Sequence, residues 1–104
     1  MPPVARGDGG DTVFSKTGSG RRCQSPTNTA TGQCSEDVFA NNKGIVRNGD
    51  TVGAHNASGC GPDQSGLTTY SGSVFANNKE IARIGDEYTS DNTITSGSSN
   101  VFAA

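Results

Sequence analysis

The chain has 104 residues, a net charge of −2, and a polar composition in which Gly, Ser, Thr, Asn and Asp make up just over half. The scattered, slightly acidic charge excludes the basic surface that nucleic-acid binding requires. No apolar run has the length of a membrane span or a secretory signal. Only 16 residues are Leu, Ile, Val or Phe, so we expect a metal, disulfides or a partner to add to a weak core.

An internal duplication organises the chain. The word Val-Phe-Ala-Asn-Asn occurs at Val38–Asn42 and returns 36 residues later at Val74–Asn78. The segment Ile45–Asp50 returns at the same spacing as Ile81–Asp86. Two matches in one register predict a repeat architecture.

Weaker copies of the two words open and close the chain, at Val4–Asp8 and Ser98–Ala103. In the first of them, Arg6-Gly7-Asp8 is one residue shorter than the corresponding turns of the later copies. We therefore predict a single all-β domain over residues 1–104, made of three units at about 4–42, 43–78 and 79–104.

Short strands and turns are predicted, without helices, because Gly recurs and no apolar pattern of helical period is sustained. In chain order, the candidate strands are Asp37–Ala40, Ile45–Arg47, Ser73–Ala76, Ile81–Arg83 and Asn100–Ala103. Two four-residue segments, Asn41-Asn42-Lys43-Gly44 and Asn77-Asn78-Lys79-Glu80, are predicted to be turns that each join the two strands of a hairpin, because Asn tolerates left-handed backbone. The long segments between each Gly-Asp turn and the next Val-Phe are predicted to be loops without strands, tied down or functional.

Two residue types recur at equivalent positions of the units: Phe39, Phe75 and Phe102, and Arg6, Arg47 and Arg83. The phenylalanines are predicted to pack together as the core; the alternative is an exposed base for a threefold partner. The arginines are predicted to hydrogen-bond loop carbonyls or acidic turn residues.

Every soft metal ligand of the chain lies between positions 23 and 60: Cys23, Cys34, His55 and Cys60. Three thiolates and one imidazole complete a tetrahedral structural zinc site, and the same ligands also suit iron. A disulfide between two of the cysteines, or an exposed loop position for His55, are the alternatives. The chain shows no nucleophile–base pair and no phosphate loop, so we expect no enzymatic activity.

The recurring words resemble those of the PAAR-repeat proteins. They are Val4–Asp8, Ile45–Asp50 and Ile81–Asp86, with closing words at Ser71–Val74 and Ser96–Val101. The resemblance implies a small cone of short strands and long loops with pseudo-threefold symmetry and a metal near its tip. Family ligands are typically three His and one Cys, whereas this chain offers three Cys and one His. None of its units keeps a Pro-Ala-Ala-Arg tetrapeptide.

What the resemblance implies about function is a structural tip that caps a trimeric β-helical spike, one tip per trimer. Such a tip is made in the host cytoplasm, resides in the virion tail baseplate, and touches the target outer membrane transiently as the contracting tail pierces it. A chain without room for an effector favours a phage tail over a type VI secretion spike. No homo-oligomer is expected. The runner-up is a small zinc-stabilised cytosolic interaction module; an envelope-degrading enzyme is disfavoured because no acid–base pair is present.

Overall fold

The computed structural model describes residues 1–15, 27–52, 66–88 and 92–104. These residues are all-β, as predicted. Their strands are β1 (Thr12–Ser15), β2 (Thr27–Ala30), β3 (Phe39–Ala40), β4 (Lys43–Gly44), β5 (Phe75–Ala76), β6 (Lys79–Glu80), β7 (Glu87–Tyr88) and β8 (Asn92–Ile94). Within these ranges, no helix has the length and hydrophobicity needed to cross a bilayer.

The two predicted hairpins are confirmed, but their turns are shorter than predicted, because Lys43–Gly44 and Lys79–Glu80 form the second strands. The predicted strands Ile45–Arg47 and Ile81–Arg83 take part only in isolated bridges. β3 pairs with β4 and β5 pairs with β6, both antiparallel. Asn41 and Asn42 have φ of 53° and 66°, and Asn77 and Asn78 have φ of 55° and 63°. Positive φ at both central residues is what a two-residue hairpin turn of the favoured hand requires.

The two ends of the chain form a third antiparallel pair, which has no connecting turn but matches the two hairpins in its pairing. Below we count it with them as the third hairpin. Phe102 lies opposite Pro3 in an antiparallel bridge. The backbone N–H of Val4 donates to the carbonyl oxygen of Val101 at 2.9 Å, and that of Ala103 donates to the oxygen of Pro2 at 3.1 Å. The predicted strand Asn100–Ala103 therefore pairs with the beginning of the chain.

A closed ring of three backbone hydrogen bonds joins the three hairpins. The N–H of Ala5 donates to Ala82, that of Ala82 to Val46, and that of Val46 to Ala5, over N···O distances of 3.0, 2.9 and 3.2 Å. All three residues are fully buried. Isolated antiparallel bridges flank this ring: Val4–Arg83, Arg6–Ile45 and Arg47–Ile81.

The prediction that the long segments lack strands is wrong. A four-stranded antiparallel sheet in the order β2-β1-β8-β7 is built from them, and bridges Leu67–Tyr88, Thr51–Gly66 and Thr31–Val52 complete a closed circuit of pairings. The strands escaped prediction because their alternation is carried by small polar residues. In β1, Val13 and Ser15 are buried while Thr12 and Phe14 face outward.

Two clusters of buried side chains fill the interior. Within the four-stranded sheet and its bridges lie Ala5, Val13, Val46, Val52, Leu67, Ala82, Tyr88 and Ile94. Between the hairpins lie Val4, Ala40, Ile45, Ala76, Ile81 and Ala103, with Val38, Val74 and Val101 packed against them. The molecule measures 37 × 22 × 22 Å, one long axis and two equal short ones.

The prediction that the repeated phenylalanines form the core is wrong. Phe39, Phe75 and Phe102 are 57%, 56% and 44% exposed. Side chains alternate along a strand, and in the first hairpin Val38 and Ala40 on either side of Phe39 turn inward. The space where the three hairpins converge accommodates the side chains of Val and Ala. The phenylalanine side chain between them therefore faces outward.

Candidate functional site

Three Arg–Asp pairs fix the turns that leave the hairpins: Arg6–Asp11, Arg47–Asp50 and Arg83–Asp86. In each pair one carboxylate oxygen accepts from the arginine's backbone N–H at 2.6–2.8 Å and from its Nε at 3.0 Å. The other oxygen accepts from Nη2 at 2.7–3.2 Å. These hydrogen bonds raise the pKa of all three arginines. The prediction that the arginines bind acidic turn residues is confirmed.

The first turn is longer than the sequence comparison indicated. Asp11, with a fully buried side chain, makes the bonds that Asp50 and Asp86 make in the other two turns. Asp8, which the comparison aligned with them, is 83% exposed, and its carboxylate lies 3.9 Å from Nζ of Lys43. The alignment matched Asp8 to Asp50 and Asp86 because Arg6-Gly7-Asp8 resembles the other two turns in sequence. The first turn, from Arg6 to Asp11, has two more residues than each of the others.

A buried serine stands at the beginning of the segment that contains the repeated phenylalanine in each hairpin, a feature that the sequence analysis missed. We call these segments, residues 35–41, 71–77 and 98–104, the outer strands. The hydroxyls of Ser35, Ser71 and Ser98 accept from the backbone N–H groups two and three residues later, at 2.9–3.2 Å. A Ser three residues before a Val recurs in all three units. This spacing is a local side-chain-to-backbone motif and could have been found.

The same serines connect the three hairpins head to tail. Each hydroxyl donates to the residue that ends a neighbouring outer strand: Ser98 to Oδ1 of Asn41 at 2.6 Å, Ser35 to Oδ1 of Asn77 at 2.6 Å, and Ser71 to the carbonyl oxygen of Ala104. The end of every outer strand thus contacts the beginning of the next. The three strands therefore run around the molecule in one rotational direction.

Two of the three junctions carry an additional side-chain bond. Nδ2 of Asn77 donates to Asp37 at 2.7 Å, and this bond, with one from Ser35, lowers the pKa of the Asp37 carboxyl. Nδ2 of Asn41 donates to Oδ1 of Asn100 at 2.8 Å. At the third junction Ala104 occupies the position of the asparagines and offers its backbone oxygen instead.

One edge of each outer strand is open. Residues Val101 and Ala103 bond to Val4 and Pro2, so the N–H and C=O of Phe102 between them point the other way. Among the described residues, these two groups have no backbone partner. Phe39 and Phe75 hold the same place opposite β4 and β6. In an antiparallel ladder, the backbone N–H and C=O groups of successive residues point alternately towards the partner strand and away from it. Three strand edges, each beside an exposed phenylalanine, thus border the end of the molecule that the hairpins form. We call this end the base.

Of the four predicted metal ligands, Cys23, His55 and Cys60 lie outside the described residues, and only Cys34 can be placed. Cys34 is a free, half-buried cysteine that packs against the cluster of buried side chains within the four-stranded sheet and its bridges. Its Sγ lies 2.8 and 2.7 Å from the points that Cβ atoms would occupy at Gly7 and Gly44. Burial, then the charges of Asp8 and Asp50, raise the pKa of this thiol.

Cys34 follows a segment, residues 31–33, that pairs with Thr51 and Val52. Thr31 and Val52 form an antiparallel bridge, so at Val52 the chain runs towards the Thr27 end of β2. Cys34 lies on the other side of Thr31, where the neighbouring N–H of Gln33 donates to Thr51 at 3.0 Å. Among the described residues, no group of three or more metal-ligating side chains comes together. The four-ligand site stays a prediction, and Cys34 is the member that needs a separate test.

No protein-family model matches this chain, and no curated protein matches it significantly.

Proposed function

We propose that this protein is the tip of a trimeric β-helical spike, similar to the PAAR-repeat tips of contractile tails, and that it acts by structure alone. Its base would sit on the end of the spike, and the opposite end would meet the target envelope first. The proposal extends the sequence resemblance with the geometry of the base.

Support for a threefold arrangement comes from bonds that recur three times. The ring of Ala5, Val46 and Ala82, the Arg–Asp pairs and the serine anchors each have three members, one from each hairpin and its turn. The two equal short dimensions of 22 Å are consistent with an approximate threefold axis along the 37 Å axis. One chain with such an arrangement could offer an equivalent surface to each subunit of a trimer.

The observation that carries the proposal is the open base. Exposed strand edges promote association unless they are covered, and an extended partner can complete them with main-chain hydrogen bonds. Here three such edges follow one another head to tail, each with an outward-facing phenylalanine. A three-chain β-helix could complete each of these edges with one extended segment from each subunit.

We further propose that one structural metal ion, zinc or iron, is bound by Cys23, Cys34, His55 and Cys60. Four soft ligands in one chain with so small a core support it, since metal binding contributes directly to folding. Single Ser variants of the cysteines and His55→Ala should each lose the metal and lower the melting temperature. Retention of the metal by Cys34→Ser alone would remove that residue from the site, in agreement with its tight packing against Gly7 and Gly44.

The docking proposal is tested by mixing the protein with a trimeric β-helical spike protein from the same source and measuring the mass of the complex. We expect one tip per trimer. The matched variants are Phe75→Lys at the base and Phe14→Lys on β1, both at exposed phenylalanines. Binding should fall for Phe75→Lys and persist for Phe14→Lys. Three tips per trimer, or equal binding by both variants, would contradict docking through the base.

A further inference from the structure

We propose that, when no spike is present, the base pairs with the base of a second copy of this chain in a symmetric dimer. The same three strand edges and phenylalanines that we assign to the spike would then be covered by their own equivalents. The inference goes beyond the proposed function and does not depend on it, because it uses only the geometry of the base. It departs from the expectation that the chain forms no homo-oligomer.

The direction of the strands makes the base self-complementary. The outer strands run head to tail in one rotational direction, fixed by the bonds of Ser35, Ser71 and Ser98 to the ends of neighbouring strands. When two copies face each other across a twofold axis, the strands of one copy run opposite to those of the other. Every facing pair is therefore antiparallel. A twofold contact is also isologous, so it closes at two copies and does not propagate.

Main-chain hydrogen bonds would hold the two copies in one register. In an antiparallel ladder, residues whose N–H and C=O both face the partner exchange two hydrogen bonds. Phe102 offers both groups at the open edge, and Phe39 and Phe75 occupy the same position in their hairpins. Placing phenylalanine opposite phenylalanine on each of the three sides gives about six hydrogen bonds between the copies.

The phenylalanine side chains add an aromatic pair at each of these sites. Directly opposed residues of an antiparallel pair have their Cβ atoms about 4.5–5.5 Å apart, and aromatic pairs at this distance are favourable. Phe39, Phe75 and Phe102 are each roughly half exposed in the single chain. In the dimer each would lie beside a phenylalanine of the second copy and lose part of its contact with water.

The area of the base makes this dimer weak. An end face 22 Å across covers about 400 Å² in each copy, and the total lies below the roughly 1,200–2,000 Å² of stable complexes. We therefore expect association that depends on protein concentration and that a spike trimer bound at the same base displaces. The dimer would protect the edges from uncontrolled pairing before the tip is seated.

Sedimentation velocity under reducing conditions, from about 1 µM to about 1 mM protein, covers the range in which a small interface associates. The wild type should shift from its 10.6 kDa mass to twice that mass. A triple variant with Lys at Phe39, Phe75 and Phe102 should remain monomeric, because like charges would then face each other across the seam. Phe14→Lys, on an exposed phenylalanine of β1, should dimerise as the wild type does.

If the triple variant loses its cooperative unfolding, the single variant Phe39→Lys replaces it, and a dimerisation constant at least tenfold weaker than that of the wild type is expected. A wild type that stays monomeric across the whole range overturns the inference. So does a dimer that the lysine substitutions leave intact.

The dimer and the spike proposal fail in different ways. A monomeric protein that still binds one spike trimer removes the dimer and leaves the proposed function standing. A dimer that is sensitive to the phenylalanine substitutions, in a protein that ignores the spike, supports the inference and removes the proposed function. A spike trimer that dissociates the dimer is the result expected if both are correct.

Discussion

Replacing Asp11 by Ala should destabilise the protein far more than replacing Asp8 by Ala. The Asp11 side chain is fully buried and accepts four hydrogen bonds, three from Arg6 and one from Ser96 at 2.9 Å. Removing this carboxylate leaves donors of Arg6 and Ser96 without their acceptor, and because the Arg6 side chain is 21% exposed to water the cost is about 1–3 kcal/mol. Asp8 is 83% exposed, and a surface change of this kind shifts the free energy of unfolding by about 0.5 kcal/mol or less.

Urea denaturation of the two variants and the wild type, followed by circular dichroism, measures the difference directly. For a domain of this size, a loss of 3 kcal/mol lowers the melting temperature by roughly 12–24 °C. Asp11→Asn, which keeps the shape of the side chain, should lie between the wild type and Asp11→Ala. An Asp8→Ala variant as unstable as Asp11→Ala would refute the assignment of Asp11 to the position held by Asp50 and Asp86 in the other turns.

Three further changes test the interior. Tyr88 is buried, and burial raises the pKa of its hydroxyl above its ordinary value of 10.0. The contribution of Tyr88 to stability should therefore be complete below pH 10 and fall above it by about 1.4 kcal/mol per pH unit. In thermal melts at graded pH, Tyr88→Phe should remove this part of the alkaline loss and leave the part that follows from the raised pKa of Cys34. Ser98→Ala should cost about 1–3 kcal/mol in urea denaturation, because two backbone N–H groups lose their acceptor, whereas exposed Ser99→Ala should change little. Gly44→Ala would place a Cβ 2.0 Å from the Ser35 carbonyl oxygen and should cost at least about 1–3 kcal/mol, and a melting temperature equal to that of the wild type would contradict this packing.

The parts of the fold that were predictable are those in which a short word determines a local structure. Two consecutive asparagines after a short β segment indicate a hairpin turn, and Asn41-Asn42 and Asn77-Asn78 form it, although the turns were predicted two residues too long. An Arg followed three residues later by Asp is close enough to bond without help from distant parts of the chain, as in Arg47–Asp50. The duplication supplied the equivalence of these elements.

Other features depend on contacts between distant segments and were missed or wrong. Strands β1 and β8 are held by each other across almost the whole chain, and their polar sequences carry no apolar alternation. The exposure of Phe39 follows from the narrow space between three hairpins, which no single hairpin sequence reveals. Asp11 was missed because Asp8, three positions earlier, satisfied a similar short pattern.

The candidate docking surface was partly foreseeable, since the alternative of an exposed phenylalanine base followed from the repeat. The direction of the strands around that base was not, because it depends on the bonds that Ser71 and its two equivalents make to neighbouring hairpins. The candidate metal ligands rest on residue type and count. The structure also shows that Cys34 packs closely against Gly7 and Gly44, a contact that the number of candidate ligands in the sequence does not predict.

A cryo-electron microscopy reconstruction of the complex with a trimeric β-helical spike protein tests the central claim most directly. We expect one copy of this chain at the end of each trimer, with the outer strands that contain Phe39, Phe75 and Phe102 each pairing with a different subunit. A chain attached through the opposite end, or through the side of the four-stranded sheet, would contradict the account.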